Sequence, residues 1–297
     1  MTASSLIEPS ADGGRLSRKR PGIIRFSLVR IVLGALAVVL PVALTMFLVH
    51  QLVEKGMRGL WPQVLAATLC VLGYRLYVHR VERRPMAELG GTDAGRELGA
   101  GLLLGSLLFV GVIGTMAMLG GYRVDGTGGW AALLVPLTEL VLVALFEETL
   151  FRGVLYRNLE RSLGSWSALA ISSLVFGLAH LPNANVTLAG IAVTVVAGLL
   201  FAAAYLVTRR LWLPVGMHFA WNFMSDAIFS VTTSGHPGKG ILKGQTVGPD
   251  WLSGGAYGVE ASLVTLVALS TVTVVLLALA HRRGQFLTKA DAQARRN

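Results

Sequence analysis

The chain has 297 residues, of which 54% are hydrophobic and only 14% charged, with a formal net charge of +10. A soluble domain holds closer to a quarter charged residues, so this composition excludes an ordinary soluble globular protein and points to an integral membrane protein. The single cysteine, Cys70, excludes structural disulfides, cysteine-based metal centres and paired redox chemistry; in an apolar run it reads as a small core residue.

In chain order, residues 1–22 are polar and basic and are expected to be disordered or to lie along an anionic membrane surface. The first apolar run, 27–49, follows Arg15, Arg18, Lys19, Arg20 and Arg25. This imitates a secretory leader, but the run is too long and no small-x-small cleavage site precedes the next charges, so an uncleaved first helix is expected. Further candidate membrane spans occupy 60–79, 98–119, 130–156, 166–181, 185–208, 211–229 and 257–280, judged against a hydrocarbon core of ~30 Å and a rise of ~1.5 Å per residue. Residues 81–97 form a charged linker broken by Pro85 and Gly90-Gly91, 230–256 a Gly-rich extramembrane loop with Pro237 and Pro249, and 282–297 a polar, basic tail. The predicted fold is therefore all-α, a polytopic transmembrane bundle of about eight helices. Residues 23–129 hold the N-terminal helices, 130–229 a polar-bearing core and 257–281 the last helix.

With the amino terminus inside, eight spans leave 20 Lys and Arg in inside segments and 5 outside, namely Lys55, Arg58, Arg123, Lys239 and Lys243. That excess predicts cytoplasmic N and C termini, and makes the basic charge an orientation signal rather than a nucleic-acid footprint. Trp61, Trp130, Trp212 and Trp251 fall near span ends, as interfacial anchors do. Arg outnumbers Lys and Ala, Gly and Val abound, which suggests a bacterial protein and hence a bacterial plasma membrane.

Three polar clusters interrupt the apolar runs. The first is Glu147-Glu148-Thr149-Leu150-Phe151-Arg152. Glu148 and Arg152 are four apart with the acid first, the favoured order for a helical ion pair. Glu147, about 100° round the helix, faces another neighbour and stays available as a base. Intramembrane acids are costly and usually functional, although a charged helix end would give the same pattern. The second cluster sets Phe176 and His180 on one face, which fits a helix-end histidine as well as a functional one. The third sets His218 and Asn222 on one face, fitting either a polar seam between helices or two donors to a developing oxyanion. Counted along the helices from the basic ends, the clusters are able to meet at a common depth.

Taken together and in this order, E-E-x-x-x-R, F-x-x-x-H and H-x-x-x-N resemble the CAAX protease and bacteriocin-processing family of intramembrane endopeptidases, over roughly residues 130–229. The resemblance implies that Glu147 and His180 activate a water for attack on an amide and that His218 and Asn222 stabilise the oxyanion. Glu148, Arg152 and Phe176 would support them. The implied partners are the bilayer and a membrane-associated peptide or protein substrate. Glu147, His180 and His218 would also make a three-ligand set for a divalent ion such as zinc; the chain has no H-E-x-x-H, and the expected mechanism uses no cofactor. Two rival classes remain: a proton relay or transporter, for which Glu139 and Asp226 are further intramembrane acids, and a non-catalytic scaffold or immunity factor. No internal repeat supports the transporter.

Overall fold

A computed structural model describes residues 26–294; the basic segment 1–22 lies outside them. The elements are α1 (Ser27–Leu52), α2 (Trp61–Tyr77), α3 (Ala94–Met118), β1 (Tyr122–Thr127), α4 (Leu134–Glu148), α5 (Arg157–Leu163), α6 (Ser165–Leu178), α7 (Leu188–Thr208), α8 (Trp212–Phe223), β2 (Leu242–Thr246), α9 (Asp250–Ser253), α10 (Leu263–Arg282) and α11 (Lys289–Ala294). Among the described residues six helices are long and apolar enough to cross a membrane, and α6 is a shorter apolar one. The chain is an integral membrane helix bundle.

The bundle is arranged for lipid outside and small or polar residues inside. On α1, Leu36, Leu40, Leu44 and Phe47 are exposed at helical spacing, whereas Gly34, Val38 and Thr45 are buried. Lipid is as apolar as leucine, so helix association here rests on close backbone approach rather than on burying apolar side chains. The α3–α8 crossing shows this best. A Cβ on Gly216 would lie 2.6 Å from the Leu98 carbonyl oxygen, one on Gly105 2.5 Å from that of Met217, and one on Gly101 would strike the Leu213 carbonyl. Because α8 carries His218 and Asn222, these glycines set where the site's third cluster stands. Gly101→Leu should therefore push α8 away and lower the yield of folded protein in detergent size-exclusion chromatography. Gly99→Leu on the open side of α3, where an added Cβ meets nothing within 4 Å, should not.

The region read as one span over 130–156 is a compound element. After Glu148 the α-helix gives way to eight π-helical residues, Thr149–Tyr156, before α5. Met224–Ile228, after α8, is π-helical too. The i→i+5 pattern inserts an extra residue per turn and is often found at functional sites, although Val78–Glu82, which does not line the cavity described below, is π-helical as well. Side-chain donors from elsewhere hold the Thr149–Tyr156 turn: Tyr74 Oη (3.2 Å) and Arg157 Nε (2.9 Å) both donate to the Gly153 carbonyl.

Two further departures have local causes. The second polar span, expected over 166–181, ends at Leu178, because Pro182 disfavours helix at the residue before it. The last span begins at Leu263 rather than 257: the Ser262 hydroxyl accepts from Thr265 N (3.1 Å) and caps it. The 230–256 loop is also not featureless. Its strand β2 pairs antiparallel with β1, Tyr122 opposite Thr246 and Arg123 opposite Gln245. Trp61, Trp130 and Trp251 are exposed at this same end of the bundle.

Ion pairs tie the opposite end together. Arg157 bridges to Glu82 (2.6 Å) and Glu88 (3.1 Å), Arg210 to Glu97 (2.8 Å) and Arg209 to Glu160 (2.5 Å). The tail folds back here, Leu287 N donating to the Ser165 hydroxyl (2.9 Å).

Candidate active site

Glu148 is the fixed point of the site. Its side chain is fully buried, and its Oε1 accepts from Arg152 Nη1 (2.8 Å), the pairing expected from the i,i+4 spacing, and from His218 Nδ1 (2.9 Å). Arg152 is itself buried and donates its second terminal nitrogen to the Gly198 carbonyl on α7 (2.8 Å). The guanidinium lies over the rings of Phe176 (4.6 Å) and Phe201 (5.3 Å). The carboxylate balances the charge of this buried cation, and the two aromatic faces add a favourable field beside its two hydrogen bonds.

Glu147 is different. It is one-fifth exposed, its Oε2 lies 3.9 Å from His218 Nε2, and that oxygen is itself buried yet accepts no hydrogen bond among the described residues. Glu148 Oε2 has no hydrogen-bond partner among the described residues either, so the acids differ in that Glu148 Oε1 meets two donors while Glu147 has only the imidazole at 3.9 Å.

His180 stands two residues past the end of α6. Its Nδ1 is 2.8 Å from the Phe176 carbonyl, an oxygen that only accepts, so Nδ1 carries the hydrogen and, in the neutral ring, Nε2 has the lone pair. The Phe176 ring packs against His180 (4.9 Å) and Phe151 (4.9 Å). His218 is stacked on Phe201, 4.7 Å between centroids at 11°. Asn222 follows one turn later on α8.

Glu147, His180, His218, Asn222 and Phe176 all line one cavity of about 1170 Å³. The sequence reading had left their meeting open. This volume exceeds that of a pocket for a drug-sized ligand, typically ~300–1,000 Å³, and suits a peptide segment. Glu139 and Asp226 line the same cavity. A metal centre would need three or more converging donors. Among the described residues no group of three His, Cys, Asp or Glu stands in that arrangement.

Several contributors had no sequence signal. Phe201 and Gly198 sit in an uninterrupted apolar run. Glu260, in the stretch before α10, accepts from Trp221 Nε1 (3.0 Å) on α8 and from the Ser234 hydroxyl, tying the loop to the helix that carries His218. The span expected over 257–280 ran across it, and neither its place before the helix nor its partners were read from the sequence.

Residues 129–224 match the family model of the type II CAAX prenyl endopeptidase Rce1-like proteins. That stretch contains all three polar motifs and nearly coincides with the range over which the sequence resembles the family. A curated relative named "Putative membrane peptidase YdiL", from Bacillus subtilis (strain 168), is 25% identical over 127 residues. The alignment covers 43% of this chain and 48% of the relative, so the chain spans about half the length of the relative it matches. No solved structure matches.

Proposed function

We propose, from a core that matches the type II CAAX prenyl endopeptidases, that this chain is an intramembrane endopeptidase cutting a membrane-associated protein or peptide. The observation that carries the reading is the unequal treatment of the two glutamates. Glu148, engaged by Arg152 and His218, orients the imidazole; Glu147, with an unpartnered oxygen beside His218 Nε2, is left to take a proton from an attacking water. His180 assists through Nε2. With both ring nitrogens protonated, His218 directs Nε2–H towards the carbonyl oxygen that gains charge on attack, and Asn222 adds a second donor. In that state Glu147, Glu148, Arg152 and His218 form a charge-balanced set, which lowers the cost of placing them in an apolar bundle.

The cavity is lined by Phe151 and Phe201 but by neither Arg152 nor the ion-paired end of the bundle, so in this structure it does not run from face to face. The expected result with purified, detergent-solubilised protein is hydrolysis of members of a fluorogenic peptide library, unaffected by exhaustive chelation. Asn222→Ala should lower turnover by about 10²–10³-fold, as loss of one oxyanion donor does elsewhere. Activity abolished by chelation and restored by a divalent ion would overturn the glutamate mechanism while leaving the peptidase in place.

A further inference from the structure

The two ends of the bundle are chemically distinct, and the cavity reaches only one of them. One end is the ion-paired band of Glu82, Glu88, Arg157, Arg209 and Arg210, none of which lines the cavity. The other is the loop end, where Tyr122 Oη donates to the Phe229 carbonyl (3.1 Å), Asn183 Nδ2 to that of Ser234 (3.1 Å) and Gly235 N to that of Tyr257 (2.8 Å). Ala131 and Ala132 at the start of the fourth helical segment, together with Asn183, His236, Pro237 and Lys239, line the cavity from this end, and His236, Pro237 and Lys239 are exposed.

Towards the band the way is shut. Phe151, Phe176 and Phe201 surround the Arg152 guanidinium. One turn further on, Tyr156 and Tyr205 meet edge to face at 5.6 Å, and Tyr156 Oη donates to Glu160 (2.8 Å). A peptide arriving from the band would have to break a buried ion pair and part five aromatic rings. One arriving from the loop end meets a polar, open mouth.

The basic residues orient these ends. Arg80, Arg83, Arg96, Arg282, Arg283 and Lys289 lie at the band, whereas the loop end holds Lys55, Arg58, Arg123, Lys239 and Lys243. The positive-inside rule places the richer end in the cytoplasm. We infer that the site is loaded from the extracytoplasmic face, so that its substrates are segments of membrane-anchored or exported chains lying outside the membrane, not cytoplasmic C-termini. This rests on the peptidase reading for the word substrate, but the direction of access is a property of the cavity and is testable alone.

Cys70 is fully buried, and a Cys70→Ala background allows single-cysteine probes. Ala132→Cys, Lys239→Cys and, as a reference at the band, Lys289→Cys would be exposed to a charged, membrane-impermeant maleimide in intact spheroplasts and again after permeabilisation. Expected is labelling of the first two in intact spheroplasts and of Lys289→Cys only after permeabilisation. Labelled Ala132→Cys should lose at least tenfold in peptide turnover relative to the unlabelled variant. The reverse labelling pattern, or a labelled mouth with full turnover, overturns the inference while leaving a peptidase standing. The expected labelling with no peptide cleavage by the unsubstituted protein would sink the peptidase reading and leave the direction of access intact.

Discussion

Glu147→Gln should reach the membrane in normal amounts and lose peptide turnover by about 10²–10⁴-fold, the usual contribution of a general base. The amide keeps the shape of the side chain, and no hydrogen bond to Glu147 Oε2 is lost, because that oxygen has no partner among the described residues. What disappears is the group that takes the proton. Glu148→Gln is the informative contrast: it removes the charge that meets both Arg152 and His218, and should reduce accumulation along with activity. Quantifying membrane-inserted protein beside turnover separates the two. A clean catalytic loss from Glu148→Gln together with a collapse of Glu147→Gln would reverse their roles.

Arg152→Ala should cost about 3–5 kcal/mol of stability, the range for breaking a buried ion pair by deleting one partner. The deletion leaves Glu148 ionised in an apolar interior with a single remaining donor, strips the Gly198 carbonyl of its 2.8 Å contact, and opens a cavity among three phenylalanines. Arg152→Lys should rescue only part of this, since one ammonium cannot reproduce the fork that reaches a carboxylate and a carbonyl together. Thermal unfolding in detergent, followed by fluorescence size-exclusion, is the measurement. An Arg152→Ala protein as stable as the parent would show that the charge of Glu148 is balanced elsewhere.

The sequence made the polar clusters conspicuous for one physical reason: a charge in an apolar helix is expensive, so its presence marks a partner or a task. The Glu148–Arg152 pair followed from spacing alone. The bond from His218 to Glu148 did not, since the two are 70 residues apart and helical periodicity says which face a residue is on but not which helix it meets. The π-helical turn after Glu148 was equally hidden. Thr149–Tyr156 has no glycine pair or proline to announce it, and its geometry answers to donors from Tyr74 and Arg157. The β1–β2 pairing joins segments over 100 residues apart through Gly-rich sequence, where alternation is too weak to fix a register. Apolar length made the membrane bundle legible but not its count, since eight spans were expected and among the described residues six helices are long and apolar enough to cross, while helix ends shifted wherever a cap or a following proline decided them.

The first two helices have a consequence for how this protein can be dissected. They lie outside the stretch that matches the endopeptidase family, yet they provide the Tyr74 hydroxyl that reaches Gly153 and the Tyr77 hydroxyl that accepts from Asn158 (3.0 Å), and the turn after the second carries the Glu82 carboxylate that holds Arg157. Gly34 adds a surface against which Val154 fits without room for a side chain. A fragment cut at the family boundaries would thus strip Arg157 of its carboxylates and Asn158 of the Tyr77 hydroxyl, leaving each with only a backbone carbonyl of its own segment, Gly153 and Val154. A chimera that exchanges residues 129–224 for those of a relative has to bring matching donors and acceptors at 74, 77 and 82, or the transplanted core will not settle.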